Sequence, residues 1–254
     1  MSKKSLWIFV VLAAALAATV TIAAPPKGGA AGTLSFYTGE VSVFSKGAWR
    51  KAALDAPIFQ GDSIKTGADS TAEISLSDGS ILRMGPGGQH RIDKASFAGK
   101  GRVVNVFTSA GRLWVNARSA VGRNAEFKVS TDKAVCAIRG TVFDVNAEAQ
   151  GVTISVFQGK VETWSAIVAR KGAESGKPGK VSAPTPVPGP TPVAPPTPVT
   201  EARWVEIVSA MQRISVDAKG GFARSDIPPS VESMDQWVRW NRDRDRAAHP
   251  EPGN

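Results

Sequence analysis

Between residues 33 and 164 apolar and polar positions alternate in short runs broken by Gly, Asp, Ser and Pro. Val41-Ser-Val43, Ala72-Glu-Ile74-Ser-Leu76, Val104-Asn-Val106, Leu113-Trp-Val115, Phe143-Asp-Val145 and Val152-Thr-Ile154-Ser-Val156 repeat with period two. That is the pattern of strands with one face buried. Asp78-Gly79 stands between two such runs and predicts a hairpin. No part of this region keeps helical spacing for the length of a helix. The pattern therefore predicts an all-β domain over 34–164, an antiparallel sandwich or a solenoid-like arrangement, large enough to bury a core without disulfides. A weak repeat runs through it: GEVSVF from Gly39, GRLWVN from Gly111 and GKVETW from Gly159. The spacing is unequal, so this reads as one turn-then-strand device used three times, with Gly supplying the positive φ.

Beyond this region the pattern changes. Residues 165–200 are a basic and Pro-rich linker, whose stretch APTPVPGPTPVAPPTP from Ala183 to Pro198 favours an extended polyproline spacer. Residues 201–254 predict a short helical tail. In Glu201–Ser215, Trp204, Ile207, Val208, Met211 and Ile214 share a helical face. A second helix is expected from Val231 to Ala247, capped by Ser230 after Pro228-Pro229, with a Val231, Met234, Trp237, Val238 stripe and a charged RDRDR end. Packing of these helices on each other, on the β-domain or on a partner is favoured over membrane contact.

The first 24 residues belong to no globular core. Lys3 and Lys4 precede an apolar run from Leu6 to Ala24, and Thr21-Ile22-Ala23 offers small residues at a signal-peptidase site. Residues 1–23 are expected to be a signal peptide cut after Ala23, with an uncleaved inner-membrane anchor as the alternative. Either reading puts the bulk of the protein outside the cytoplasm, periplasmic or secreted.

The formal charge is +9, of which residues 25–164 carry +5, the linker +3 and the tail −1. A moderately basic exported domain suits an anionic envelope polymer or lipid headgroups. The scattered charges do not suit nucleic acid. Membrane contact is expected only if the N-terminal segment stays uncleaved.

Candidate chemistry is sparse. The single Cys136 lies among apolar residues and reads as a small buried hydrophobe. His90, in the loop GPGGQH, and His249 have no companions at metal-ligand spacing, so no metal or cofactor is expected. The GPGG of residues 85–88 lacks the Lys-Ser/Thr of a phosphate loop and reads as a wide turn between strands. Asp55, Asp62, Asp69, Asp78, Asp93, Asp132 and Asp144 leave a glycan hydrolase open as an alternative. Nearly all of them sit in turn-like contexts, where Asp caps backbone N–H groups. No nucleophile–base pair accompanies them, so no catalytic residue is assigned.

The run AVCAIRGTVFDV from Ala134 to Val145 breaks its strand with Arg139 and Gly140. Gly140 is expected to permit a bulge or tight bend. Arg139 should pair with a neighbouring carboxylate, Asp62 or Asp78, and Thr141 should bond locally to backbone.

Taken together, GDSIKTGADSTAEISLSDGSILRM (61–84) and FKVSTDKAVCAIRGTVFDV (127–145) resemble the FecR domain family. The resemblance rests on Gly61, Asp62, Ile64, Thr66, Gly67, Asp78, Gly79, Ser80, Gly111, Leu113, Phe127, Val129, Thr131, Ala137, Arg139, Gly140, Thr141, Phe143, Val145, Gly159 and Val161. It covers about 34–164. Gly61, Asp62, Thr66, Gly67, Asp78, Gly79, Arg139, Gly140, Thr141, Phe143 and Gly159 are read as structural members of the motif.

The resemblance implies an all-β extracytoplasmic module. In its best-known setting such a module links an outer receptor to a cytoplasmic sigma factor. Here only Met1–Ser5 precede the apolar segment, so no cytoplasmic sigma-binding domain is expected on that side. The expectation is a non-enzymatic envelope binding or scaffolding module that contacts an envelope protein or an anionic polymer. An envelope-sensing regulator with a separate cytoplasmic partner is the alternative.

Overall fold

The period-two runs form strands, and the glycines between them set which of two layers each strand enters. A computed structural model describes residues 29–97, 101–118, 126–167 and 205–248. The expectations for residues 1–23, the Pro-rich stretch, Trp204 and His249 lie outside these residues.

In chain order the strands are β1 (Gly32–Thr38), β2 (Val41–Ser45), β3 (Ala48–Lys51), β4 (Pro57–Ile58), β5 (Ser63–Thr66), β6 (Thr71–Leu76), β7 (Ile81–Met84), β8 (Gln89–Ser96) and β9 (Val103–Asn116). There follow β10 (Glu126–Ser130), β11 (Ala134–Ile138), β12 (Val142–Ala147), β13 (Gly151–Gln158), β14 (Lys160–Ser165), β15 (Glu206–Ser209), β16 (Gln212–Asp217) and β17 (Phe222–Asp226). Two helices close the described chain, α1 (Val231–Met234) and α2 (Gln236–Ala248).

The strands pair into sheet A, in the order β4-β1-β6-β7-β9-β12-β13-β16-β17, and sheet B, in the order β3-β2-β5-β8-β9-β10-β11-β14-β15. The long β9 belongs to both, with Val103–Ala110 in sheet B and Gly111–Asn116 in sheet A. All pairings are antiparallel except β9 with β10, and the whole is one mixed, open sheet folded into two layers.

The inward residues of both layers, among them Leu34, Ile74, Leu113 and Ile154 of sheet A and Ile64, Val106, Phe127 and Val161 of sheet B, make a single core. Where the chain passes between layers it turns through the left-handed region at Gly39, Gly61, Gly111, Gly140 and Gly159, with φ between 63° and 92°. Gly159 shows why Gly is required: a Cβ there would lie 2.7 Å from Thr141 Cγ2 and 2.9 Å from the Gly140 carbonyl oxygen. The Asp78-Gly79 hairpin joins β6 to β7 as expected, and residues 85–88 form the turn from β7 to β8.

Over 205–215, the described part of the stretch expected to be a helix, there is no helix. Ala210-Met211 is a turn, with Met211 at φ 61°, and the residues around it are β15 and β16. The helical stripe coexists with β-branched alternation (Ile214, Val216), and the open edges of β13 and β14 take these strands up, so long-range pairing overrides local spacing. Both sheets therefore extend past residue 164.

The second helix is broken at Asp235, which is extended at ψ 105°. Asp235 caps α2: its Oδ1 accepts from the backbone N–H groups of Trp237 and Val238 at 2.9 and 3.2 Å. Ser230 makes no side-chain cap. Met234, expected in the apolar stripe, is 81% exposed.

Candidate binding face

The outer faces of the two sheets differ. On sheet A, Glu73, Arg83, Trp114, Asp144 and Ser155 are cross-strand neighbours in one row, and all five are buried because α2 lies over them. Arg83 Nε donates to Glu73 Oε2 at 2.6 Å, and Arg83 Nη1 to Asp245 Oδ1 at 2.6 Å. Asp245 Oδ2 accepts from the Trp114 indole at 3.0 Å, and Glu73 Oε2 also accepts from Arg244 at 3.1 Å. Asp144 accepts from Arg112 at 2.8 Å and from the Trp237 indole at 2.8 Å, while Arg112 reaches on to Asp235 at 2.9 Å.

Burial raises the Glu73 carboxyl, but hydrogen bonds from Arg83 and Arg244 outweigh it and hold the group below its ordinary range. For Asp144 burial wins and its carboxyl titrates above the ordinary range, against Arg112 and Trp237, which favour the anion. Stacked Trp237 and Trp240, with centroids 5.6 Å apart, and Arg244 over Phe36 at 4.3 Å complete the cover. Every charge in this row is paired with another group of the same chain. The cluster holds the helix down and leaves no acid or base for chemistry.

Among the described residues, no helix covers the outer side of sheet B. Between β10, β11, β14 and β15 runs a groove of about 940 Å³. Lys128, Ala137, Glu162 and Ile207 are successive cross-strand neighbours along it, and Trp164 lies on its wall, with Arg139 and Lys160 beside them. Lys128 pairs with Glu126 at 2.9 Å. Arg139 is exposed and has no ion-pair partner among the described residues. The groove thus presents the Arg139 guanidinium and the Lys160 ammonium among Ala137, Trp164 and Ile207, with the Glu162 carboxylate beside them; the two cations are donors suited to carboxylate, phosphate or carbonyl oxygens.

The motif residues fall into two groups. Asp62 Oδ2 accepts from the Phe59 N–H at 2.9 Å. Thr66 Oγ1 donates to the Gly85 carbonyl at 2.6 Å and accepts from the Gly88 N–H at 2.8 Å. Gly67 hydrogen-bonds Glu40 and Gly87 through backbone. Asp78 holds Ser80 N and Oγ at 2.9 Å and pairs with Arg102. Gly61, Gly79, Gly140 and Gly159 turn the backbone, and Phe143 is in the core.

Arg139 stands apart. Its expected pairing with Asp62 or Asp78 is not formed, because both carboxylates are engaged elsewhere and Arg139 faces the groove. Thr141 is buried, and instead of the expected local bond its Oγ1 has no hydrogen-bond partner among the described residues. Gly140, at φ 63°, makes the expected bend, which carries the chain from β11 in sheet B to β12 in sheet A.

Cys136 faces inward, and burial pushes its thiol up to about 12, which removes it as a nucleophile. Among the described residues no group of three His, Cys, Asp or Glu could hold a metal ion. Sequence reasoning passed over Lys128, Lys160, Glu162 and Trp164. Their signal was the polar half of the same period-two pattern that revealed the core.

The profile of the FecR family, described as "FecR protein", matches residues 62–162. Two crystal structures of a protein from Parabacteroides distasonis ATCC 8503, described as a "putative anti-sigma factor", align at TM-score 0.44 and 18% identity. The alignment covers 67% of this chain and 62% of the other, so this chain spans less than two thirds of that protein's length. No curated protein matches the sequence. Residues 62–162 of this chain are a FecR domain.

Proposed function

We propose that this chain is a non-enzymatic envelope binding module of the FecR type, making its contact through the outer face of sheet B. One observation carries the reading: Arg139, within the motif stretch, is exposed in the groove and has no ion-pair partner among the described residues. The charges on the opposite outer face, by contrast, are paired with one another and with helix α2. An exposed Arg flanked by Lys160, with Trp164 and Ile207 in the same groove, contributes more to recognition than to stability.

The test compares Arg139→Ala with the parent chain in a pull-down from envelope extract and in thermal melting. An unchanged melting temperature, within about 0.5 kcal/mol of stability, together with loss of the partner that the parent retains, is the expected result. Retention of that partner by the variant overturns the groove as the contact site. Activity of the parent on glycan substrates would overturn the non-enzymatic reading. Capture of a membrane-bound regulator by the parent chain would favour an envelope-sensing role.

A further inference from the structure

The hairpin β2–β3 projects at the far end of sheet B from the groove. Its turn is Lys46-Gly47, both at positive φ (53° and 83°), the geometry of a tight two-residue hairpin. Every residue of the edge strand β3 is exposed. Trp49 in its middle is 45% exposed, although a Trp on an edge strand gains nothing from water.

Four cations lie in or beside the hairpin. Lys46 is at the tip. Lys51 and Lys65 both lie opposite Ser42 and share the outer face with Trp49, while Arg50 lies opposite Val43 and points the other way. None of the four has an ion-pair partner among the described residues, and no acidic residue occurs between Glu40 and Asp55.

The ring geometry distinguishes between anionic partners. Lys65 Nζ sits 4.7 Å from the Trp49 ring centroid, and Phe44 packs at 5.4 Å with its ring tilted by 54°. The ammonium over the ring and the tilted Phe44 beside it take up surface on which a sugar would stack, while the indole stays 45% exposed. An exposed indole on an edge hairpin that carries Lys51 and Lys65 on the same face and Lys46 in its turn matches the interface of an anionic bilayer. There the indole enters the headgroup layer and the cations stay at the phosphates. We infer that the β2–β3 hairpin is a peripheral docking site for anionic phospholipid, separate from the sheet B groove.

The experiment is co-sedimentation of the full chain with vesicles of phosphatidylcholine alone and of phosphatidylcholine mixed with phosphatidylglycerol in equal parts. The neutral vesicles report what the apolar Leu6–Ala24 stretch contributes, the difference between the two compositions reports all of the chain's cations, Lys3 and Lys4 included, and the hairpin variants report the hairpin's share of that difference. Binding stronger to the anionic vesicles, and falling as added salt screens it, is expected. The Lys51→Gln/Lys65→Gln double variant should weaken that anionic increment about thirty-fold, from about fivefold per cation at the surface. Trp49→Ala should weaken it about tenfold.

All three positions are exposed, so melting temperatures should not move, and Arg139→Ala should leave vesicle binding intact. Failure here is therefore distinguishable from failure of the groove reading. Equal binding to both vesicle types, or no effect of either hairpin variant, overturns the inference. Binding to soluble polygalacturonate without binding to anionic vesicles overturns it in favour of an acidic polymer.

Discussion

His90 enters β8 behind the turn of residues 85–88, and its ring is enclosed at 2% exposure. Nδ1 is 3.2 Å from Thr108 Oγ1, and Nε2 has no hydrogen-bond partner among the described residues. A Cβ on Gly88 would lie 2.4 Å from Nε2, so Gly at that position is what lets the ring fit. Burial pushes the His90 pKa from 6.5 down to about 3, so the folded protein keeps the ring neutral where the unfolded chain protonates it. The stability this contributes is complete above pH 6.5 and is lost as pH falls toward 3, because there the unfolded state binds more protons. Between pH 6.5 and about pH 5 the loss amounts to about 2 kcal/mol. That window lies above the range where Glu73 adds its own acid sensitivity. Urea unfolding at about pH 7 and about pH 5 should show that drop in the parent chain, and His90→Gln should flatten it. A parent chain equally stable at both pH values would contradict a buried neutral imidazole.

At the scale of elements, α2 shows why a strand pattern can be read from sequence while its cover cannot. Glu73, Arg83 and Asp144 interrupt apolar strands as conspicuously as Arg139 does. Yet nothing in their spacing says that Arg244, Asp245 and Trp237, some 90 to 170 residues away, complete them. The helix stripe was legible as amphipathic, but the face that matters here is its Trp, Arg and Asp side. The 201–215 stretch was misread for the related reason that its strand partners, β13 and β14, lie outside any local window. The cover has a measurable cost of removal. Asp245→Ala takes one acceptor from Arg83, whose side chain is 2% exposed, and one from the Trp114 indole. It should destabilise the protein by about 2–4 kcal/mol in denaturant unfolding. Arg246→Ala, which removes a pair between exposed side chains at 3.3 Å, is the control and should change stability by less than about 0.5 kcal/mol. Equal effects of the two would mean that α2 does not hold the sheet A row.

For the whole molecule, the alternation that revealed the strands carries no information about which layer a strand joins, because both layers bury a face against the same core. The left-handed glycines at the passages between layers were partly visible, at Gly39, Gly111 and Gly159. The closing strands were not, and they have a consequence for where the chain can be cut. β13 is buried along Val152, Ile154 and Val156, and its free edge is taken by β16, which β17 in turn covers. Ending the chain after Ile167 removes these strands and leaves VTISVF, a β-branched run without charge or Pro, as an open edge and so a template for further strands. Ending it after Ser230 removes only the helices and keeps that edge paired. Both shortened chains have the same N-terminus, so any difference between them belongs to the edge. In size-exclusion chromatography with light scattering, the form ending at residue 167 should associate as concentration rises and should bind thioflavin. The form ending at residue 230 should match the full chain in association state but melt at lower temperature. If the 167 form stayed in the association state of the full chain across the same concentrations, β15–β17 would be an appendage to a self-sufficient sandwich and not the strands that close it.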